Sequence, residues 1–268
     1  MNKKFLELAK KSTVIVIKVG SNILVNEKHV LRKKWLSSLI ADVKELQKRG
    51  SKIIIVSSGA IALGRNILSK KKLTNLHEKQ AAASIGQIQL SQQWQKAFAK
   101  LNIQSSQILI TAEDLNERRK YLNIRNTIYS LMDLDVVPII NENDTTSTEE
   151  IRFGDNDKLS AMIANALSAE LLILLSDVNG LYTANPKKSL QAKLITSVEE
   201  VDQQIEKYID KDLSEFGSGG MLAKINAAKL CIQSGSTMII SNGLVNNPLS
   251  KIDPQFSTWF HPSKNILT

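Results

Sequence analysis

The chain has 268 residues, 43% of them hydrophobic, and carries 35 Lys and Arg against 26 Asp and Glu, a formal net charge of +9. That length and apolar content give one large or two small domains with a sizeable core, and they exclude a disordered chain. The basic residues are scattered (Lys3-Lys4, Lys10-Lys11, Lys70-Lys71-Lys72, Lys187-Lys188) and aromatics are only 5%, which reads as a solvated surface and not as a nucleic-acid face.

No apolar run reaches the ~18 residues that a membrane helix needs. Near the start, Glu7 and Lys10-Lys11 interrupt what would have to be the apolar part of a signal peptide. The single cysteine, Cys231, falls on the apolar side of a helical pattern and excludes an internal disulfide framework. The expectation is a soluble cytoplasmic protein with a core thiol.

In chain order, Val14–Ile17 reads as a strand that runs into Lys18-Val19-Gly20-Ser21. Leu31, Trp35, Leu36, Leu39, Ile40, Val43 and Leu46 recur at helical spacing, with Gly50 suited to the position just past the helix. Strand Ile53–Val56 leads into Ser57-Ser58-Gly59-Ala60, and a long helical region follows over Glu78–Ala99. Ile108–Ile110 reads as a strand and Asn123–Leu131 as a helix. Val136–Ile140 is a strand despite Pro138, which must sit where no ladder donor is needed, and it ends in Asn141-Glu142-Asn143-Asp144. Leu159–Ala169 reads as a helix, Leu171–Leu175 as a strand ending in Ser176-Asp177, and Val198–Tyr208 and Met221–Ser234 as helices. The last clear strand is Thr237–Ile240, before Ser241-Asn242-Gly243.

Short β-branched and aliphatic runs separated by helices describe a three-layer α/β/α sandwich around a mostly parallel, doubly wound sheet, counted as one domain over residues 1–268. In such sheets ligands bind along the edge formed by the strands' carboxyl ends. The polar clusters that end five of the runs therefore belong to one site. The polar stretches Leu68–Lys79 and Asn141–Asp157 exceed the usual ~2–6-residue connections and read as binding loops or lids.

Each cluster has its own chemistry. Lys18 either marks the end of its strand or reaches a phosphate, with Gly20 allowing close backbone approach. Glu215–Lys224 places three glycines and a serine ahead of a helix with Lys224 on its first turn, which offers backbone N–H groups and a positive helix end to an anion. It is not a Walker A loop; the nearest match, Gly59–Asn66, lacks the terminal Lys-Ser/Thr pair. A dinucleotide fingerprint after the first strand is also missing, which disfavours a nicotinamide-dependent oxidoreductase.

Asn141-Glu142-Asn143-Asp144 and Gly154-Asp155-Asn156-Asp157 concentrate carboxylates and amides suited to an ammonium group, a metal or both. Part of this polarity is expected to form Asx turns and to cap the helix from Leu159. His29, His77 and His261 lie far apart with no metal-ligand spacing and read as surface residues.

Together these segments resemble the amino acid kinase family. The matching stretches are Ile17–Ser21, Val56–Arg65, Val137–Asp144, Glu150–Asp157, Ser176–Thr183 and Gly217–Met221, in an order that spans about residues 13–243. The paired Asn-Glu-Asn-Asp and Gly-Asp-Asn-Asp elements resemble the branch of the family that acts on glutamate.

The resemblance implies transfer of the γ-phosphoryl of ATP to the side-chain carboxylate of L-glutamate, the first step of proline biosynthesis. Sibling activities on N-acetylglutamate or aspartate are the alternatives, and an acetylated substrate has no ammonium for the acidic clusters to hold. By position, Lys18, Lys224 and Asp157 form the catalytic set. Ser58, Gly59, Ala60, Asn141, Asp144, Asp155 and Asn156 bind glutamate. Lys18, Gly20, Ser176, Asp177 and the loop of Ser218, Gly219, Gly220, Met221, Leu222, Ala223 and Lys224 bind ATP. Mg²⁺ would ride on the nucleotide with no direct protein ligand, proline would act as a feedback inhibitor, and a homo-oligomer is implied. Many relatives continue into a PUA domain; this sequence stops soon after Phe260-His261-Pro262, so contact with RNA is not expected.

Overall fold

The computed structural model describes residues 1–69, 72–147, 155–186, 189–208 and 220–262. In chain order its elements are α1 (Lys3–Lys11), β1 (Val14–Val19), α2 (Ser21–Leu24), α3 (Lys33–Gln47), β2 (Lys52–Ser57), α4 (Ala60–Ile67), α5 (Leu76–Ala99), β3 (Ser105–Ile110), α6 (Ala112–Asn116) and α7 (Arg118–Asp133). Then come β4 (Val137–Glu142), α8 (Asp155–Ala166), β5 (Leu171–Ser176), β6 (Leu181–Tyr182), β7 (Leu194–Ile195) and β8 (Ser197–Val198). A short helix, α9, covers residues 203–208. The described residues end with α10 (Gly220–Gln233), β9 (Thr237–Asn242) and β10 (Thr258–Phe260).

Eight strands form the central sheet in the order β3-β4-β2-β1-β5-β9-β10-β8, and only the β9–β10 pair among them is antiparallel. A separate antiparallel pair, β6–β7, went unforeseen because two-residue strands leave no periodicity to detect. The doubly wound, mostly parallel architecture expected from the sequence is present.

Both faces of the sheet are buried, and alternation along each strand sorts its side chains between them. Ile15, Ile17, Ile53, Ile55, Val137, Ile139 and Ile173 meet Trp35, Leu36, Trp94 and Phe98 of α3 and α5 on one face. Val14, Val16, Ile54, Val56, Ile140, Leu172 and Leu174 meet Ile128 of α7, Leu159 and Ile163 of α8, and Ile225 and Ala228 of α10 on the other. Burying one such aliphatic side chain is worth about 1.5–3 kcal/mol. A one-residue slip would reverse every assignment, so the register is firmly set.

The strands run longer than their apolar runs suggest. The ladder carries on through Lys18, Ser57, Asn141 and Ser176, whose side chains replace aliphatic ones at the last inward positions. Pro138 fits its strand because β2 pairs with β4 only from Ile139 onward, while Val137 donates its N–H the other way, to Gln104. The helix expected from Val198 begins only at residue 203, since Val198 pairs with Phe260 in the sheet. His261 is half-buried and not a surface residue; burial, then Lys4, pushes its pKa down. Cys231 is a core thiol, fully buried, with its pKa pushed up to about 12 by that burial. No described helix is long and apolar enough to cross a membrane.

Candidate active site

Alternation places Lys18 on the same face as Val14 and Val16, beneath α8 and α10. Its ammonium lies 2.5 Å from Asp157 Oδ1, and Lys224 Nζ lies 2.8 Å from Asp157 Oδ2. Asp157 is fully buried and Lys18 is 7% exposed. A strand end and two helices, distant in sequence, thus meet on one carboxylate.

The electrostatics follow from that burial. Desolvation is the largest influence on Asp157 and pushes its pKa up, but attraction to Lys18 and Lys224 outweighs it and holds the carboxyl below its ordinary value. Desolvation also dominates at Lys18 and takes its pKa below 10.5, even though Asp157 opposes the change. Two ammonium groups around one carboxylate leave a formal surplus of one positive charge in a low-dielectric rim, an arrangement made for an anion.

Asp155, Asn156 and Asp157 are not in a loop, as the sequence reading had it. They form the first turn of α8, which starts at Asp155 and not near Leu159. Carboxylates at a helix N-terminus face the positive end of its dipole, so these residues stabilise the helix that the apolar pattern alone placed too late.

Across the rim, Asn156 Nδ2 donates to Ser58 Oγ at 2.9 Å and to Asn141 Oδ1 at 3.0 Å. Asn156 Oδ1 is buried without a hydrogen-bond partner among the described residues. Gly59 has φ +113°, the left-handed region that glycine tolerates, and lets the chain turn from β2 into α4, whose first residue is Ala60. Asp144 lies two residues beyond β4 and is partly buried.

On the other side of β1, Ser176 ends β5 and is 6% exposed, and its Oγ sits 3.4 Å from Asp177 Oδ1. Asp177 Oδ2 accepts from Asn22 Nδ2 at 3.1 Å. Gly20 is the N-cap of α2, and a Cβ there would lie 3.8 Å from Lys18 Nζ. Gly220, Met221, Leu222 and Ala223 lead along α10 to Lys224, with Leu222 exposed and Met221 packed against the core. Ser218, Gly219 and the side chain of Asp155 lie outside the described residues.

Neither Asn22 nor Gln87 was singled out from sequence. Gln87 accepts from Asn141 Nδ2 at 2.8 Å. A polar residue one place from Gly86 in the buried stripe Ala83-Gly86-Leu90-Trp94 was the available signal. Among the described residues no group of three or more His, Cys, Asp or Glu could hold a metal.

The chain is similar to known proteins in sequence and in fold. The chain is 50% identical over 260 residues, 96% of its length, to glutamate 5-kinase from Pelagibacter ubique, and 46% identical over 256 residues to glutamate 5-kinase from Rhizobium johnstonii. It spans 71% and 66% of those two proteins' lengths. The solved structure of carbamate kinase from Giardia lamblia bound to AMP-PNP superposes with a TM-score of 0.63 over 95% of this chain and 100% of that one, at 15% identity, so the likeness is one of fold. The model of the amino acid kinase family matches residues 13–242, a stretch that contains every side chain gathered around Asp157 and Asn156. The chain belongs to the amino acid kinase family.

Proposed function

We propose that this protein is a glutamate 5-kinase, which moves the γ-phosphoryl group of ATP onto the side-chain carboxylate of L-glutamate to give L-glutamyl 5-phosphate and ADP. The single observation that carries the reading is the meeting of Lys18 and Lys224 on Asp157 at the sheet's carboxyl rim.

The acceptor carboxyl has an unperturbed pKa of ~4.3 and is ionised at neutral pH, so it needs no general base. The obstacle is repulsion between an anionic nucleophile and a polyphosphate, which positioning and positive charge overcome. In this reading Lys18 and Lys224 stabilise charge on the transferring phosphoryl group while Asp157 holds both ammoniums in place. Ser58, Asn156 and Asn141, with Asp144, Asp155, Gly59 and Ala60, hold glutamate. Ser176, Asp177, Gly20 and the segment from Ser218 to Lys224 hold the nucleotide. Mg²⁺ would arrive on the ATP phosphates and screen their charge.

The same reading makes residues 1–268 one domain with both binding regions, acting in the cytoplasm at the entry to proline biosynthesis, with proline as feedback inhibitor and a homo-oligomer as the working form. Incubation of the purified protein with ATP, Mg²⁺ and L-glutamate, with hydroxylamine to trap the acyl phosphate, tests it. Hydroxamate formed from glutamate but not from N-acetylglutamate or aspartate is the expected result, and none from glutamate would refute it.

A further inference from the structure

Four side chains next to the acceptor site form a hydrogen-bonded row in which every donor points the same way. Asn156 Nδ2 donates to Asn141 Oδ1 at 3.0 Å, Asn141 Nδ2 to Gln87 Oε1 at 2.8 Å, and Gln87 Nε2 to Ser91 Oγ at 3.2 Å. Ser91 Oγ directs its hydrogen to the Gln87 carbonyl at 2.9 Å or to the amide oxygen of Gln107 on β3.

The direction of the row is not arbitrary. The backbone N–H of Glu142 also donates to Asn141 Oδ1, at 2.9 Å. A backbone N–H can only donate, so it fixes the oxygen end of the Asn141 amide toward itself. The nitrogen end must then find an acceptor on the opposite side, and Gln87 Oε1 supplies it. Asn156, facing the Asn141 oxygen and, at 3.4 Å, the Ser57 carbonyl, has to present its nitrogen to both, which leaves its Oδ1 as the end without a hydrogen-bond partner among the described residues. A buried acceptor without a donor is costly, and the ligand that relieves it is an N–H donor such as an ammonium.

Gln87 is held where this requires. Its neighbour Gly86 lies against α4 so closely that a Cβ there would fall 1.8 Å from the Ala60 carbonyl oxygen. Beside the row lies a cavity of about 190 Å³ bordered by Gln87, Asn141, Ser57, Trp94 and Gln107.

We propose that Gln87 is a positioning residue for the acceptor: it accepts the Asn141 Nδ2 hydrogen that the Glu142 N–H turns toward it, and so steadies the Asn141 amide on which Asn156 rests in a site that takes an amino acid with a free α-ammonium. This rests on the glutamate kinase reading and adds to it a residue that holds the acceptor-site amides in place.

The test compares wild type with Gln87→Leu and Gln87→Glu in the hydroxamate assay, with N-acetyl-L-glutamate as a competing inhibitor. Leucine removes the acceptor for Asn141 Nδ2 while keeping bulk against the cavity; glutamate keeps an acceptor oxygen. Gln87→Leu is expected to raise the glutamate KM roughly five- to tenfold, with kcat within about threefold of wild type and the ATP KM unchanged. Inhibition by N-acetyl-L-glutamate should not tighten, because the Ser57 carbonyl and the Glu142 N–H still hold the Asn156 nitrogen inward. Gln87→Glu is expected to stay within about threefold of wild type on every constant.

An unchanged glutamate KM in Gln87→Leu, or equal losses in both variants, would overturn the proposal. So would a fall in kcat with KM preserved. Absence of hydroxamate from the wild-type enzyme would instead overturn the kinase reading on which the proposal stands, so the two failures are distinguishable.

Discussion

Lys18 Nζ and Asp157 Oδ1 stand 2.5 Å apart, with the Lys18 side chain 9% exposed and that of Asp157 at 0%. A pair this dry is stable only while its charges balance, and Lys224 on the other oxygen makes the balance lean positive. Asp157→Asn removes the one anion between two ammonium groups. It is expected to lower stability by about 3 kcal/mol or more and to abolish turnover, read by denaturant unfolding and the hydroxamate assay.

Replacing either lysine has a different signature. Lys18→Ala and Lys224→Ala each leave Asp157 with one cation, so the fold should survive while kcat falls by a factor on the order of hundreds, about 3–4 kcal/mol of lost charge stabilisation. Circular dichroism checks the first expectation and steady-state rates the second. Near-normal turnover in either variant would remove that lysine from the chemistry.

Burial sets the sign of the pH response. Lys18 holds its proton less tightly than an ordinary lysine, chiefly through desolvation. Its charge is therefore lost at a pH below 10.5, and kcat should fall on the alkaline side in that window. Folding disfavours the charged form of this group, so its own contribution to stability rises between the lowered folded value and 10.5. Activity and stability should diverge there, and the stability gain should vanish in Lys18→Met. At the acid end, Asp157 stays ionised below its ordinary 3.8, and its contribution is lost only as pH falls through that lowered value. Unfolding midpoints measured across pH alongside rates separate these effects.

Much of this site could be read from sequence because parallel strands end where apolar runs meet polar residues. The roles given to Lys18, Ser58, Asn141 and Ser176 come from the resemblance to the family, while the clusters that contain them were located by that rule. The first turn of α8 was not, because Asp155–Asp157 are polar in composition and helical in position, and only the charge preference of a helix start hints at it. Gln87 and Asn22 escaped because a single amide inside a helix has no pattern around it. The close approach of α4 and α5 was hidden as well: Gly86 falls inside the helical region read over Glu78–Ala99, but nothing in the sequence marks Gly64 and Gly86 as the points where two helices touch.

That approach gives a further prediction. A Cβ on Gly64 would fall 1.8 Å from the Ala82 carbonyl oxygen, a backbone atom that cannot rotate away. Gly64→Ala is expected to separate the two helices, to cost several kcal/mol of stability and to raise the glutamate KM, since α4 begins next to Ser58. A melting temperature and KM like those of wild type would show that the helices yield without strain.

Asp144→Asn tests the acceptor end. In the proposed reading its charge meets the α-ammonium, and losing a desolvated partner of that kind costs about 2 kcal/mol or more. The glutamate KM should rise by at least about 30-fold with the ATP KM unaltered; an unchanged glutamate KM would take Asp144 out of that role.

The sheet order has a consequence of its own. From β1 the chain lays down β2 beside it, goes out to β3 at the edge and fills in β4 between them, then returns past β1 to lay down β5 and β9 on the far side. The start of α8 spans this seam: adjacent residues, about 100° apart around a helix, reach in opposite directions, Asn156 to Ser58 and Asp157 to Lys18 and Lys224. Any swivel of that turn moves both sets of contacts at once, so the two halves of the rim share a common pivot.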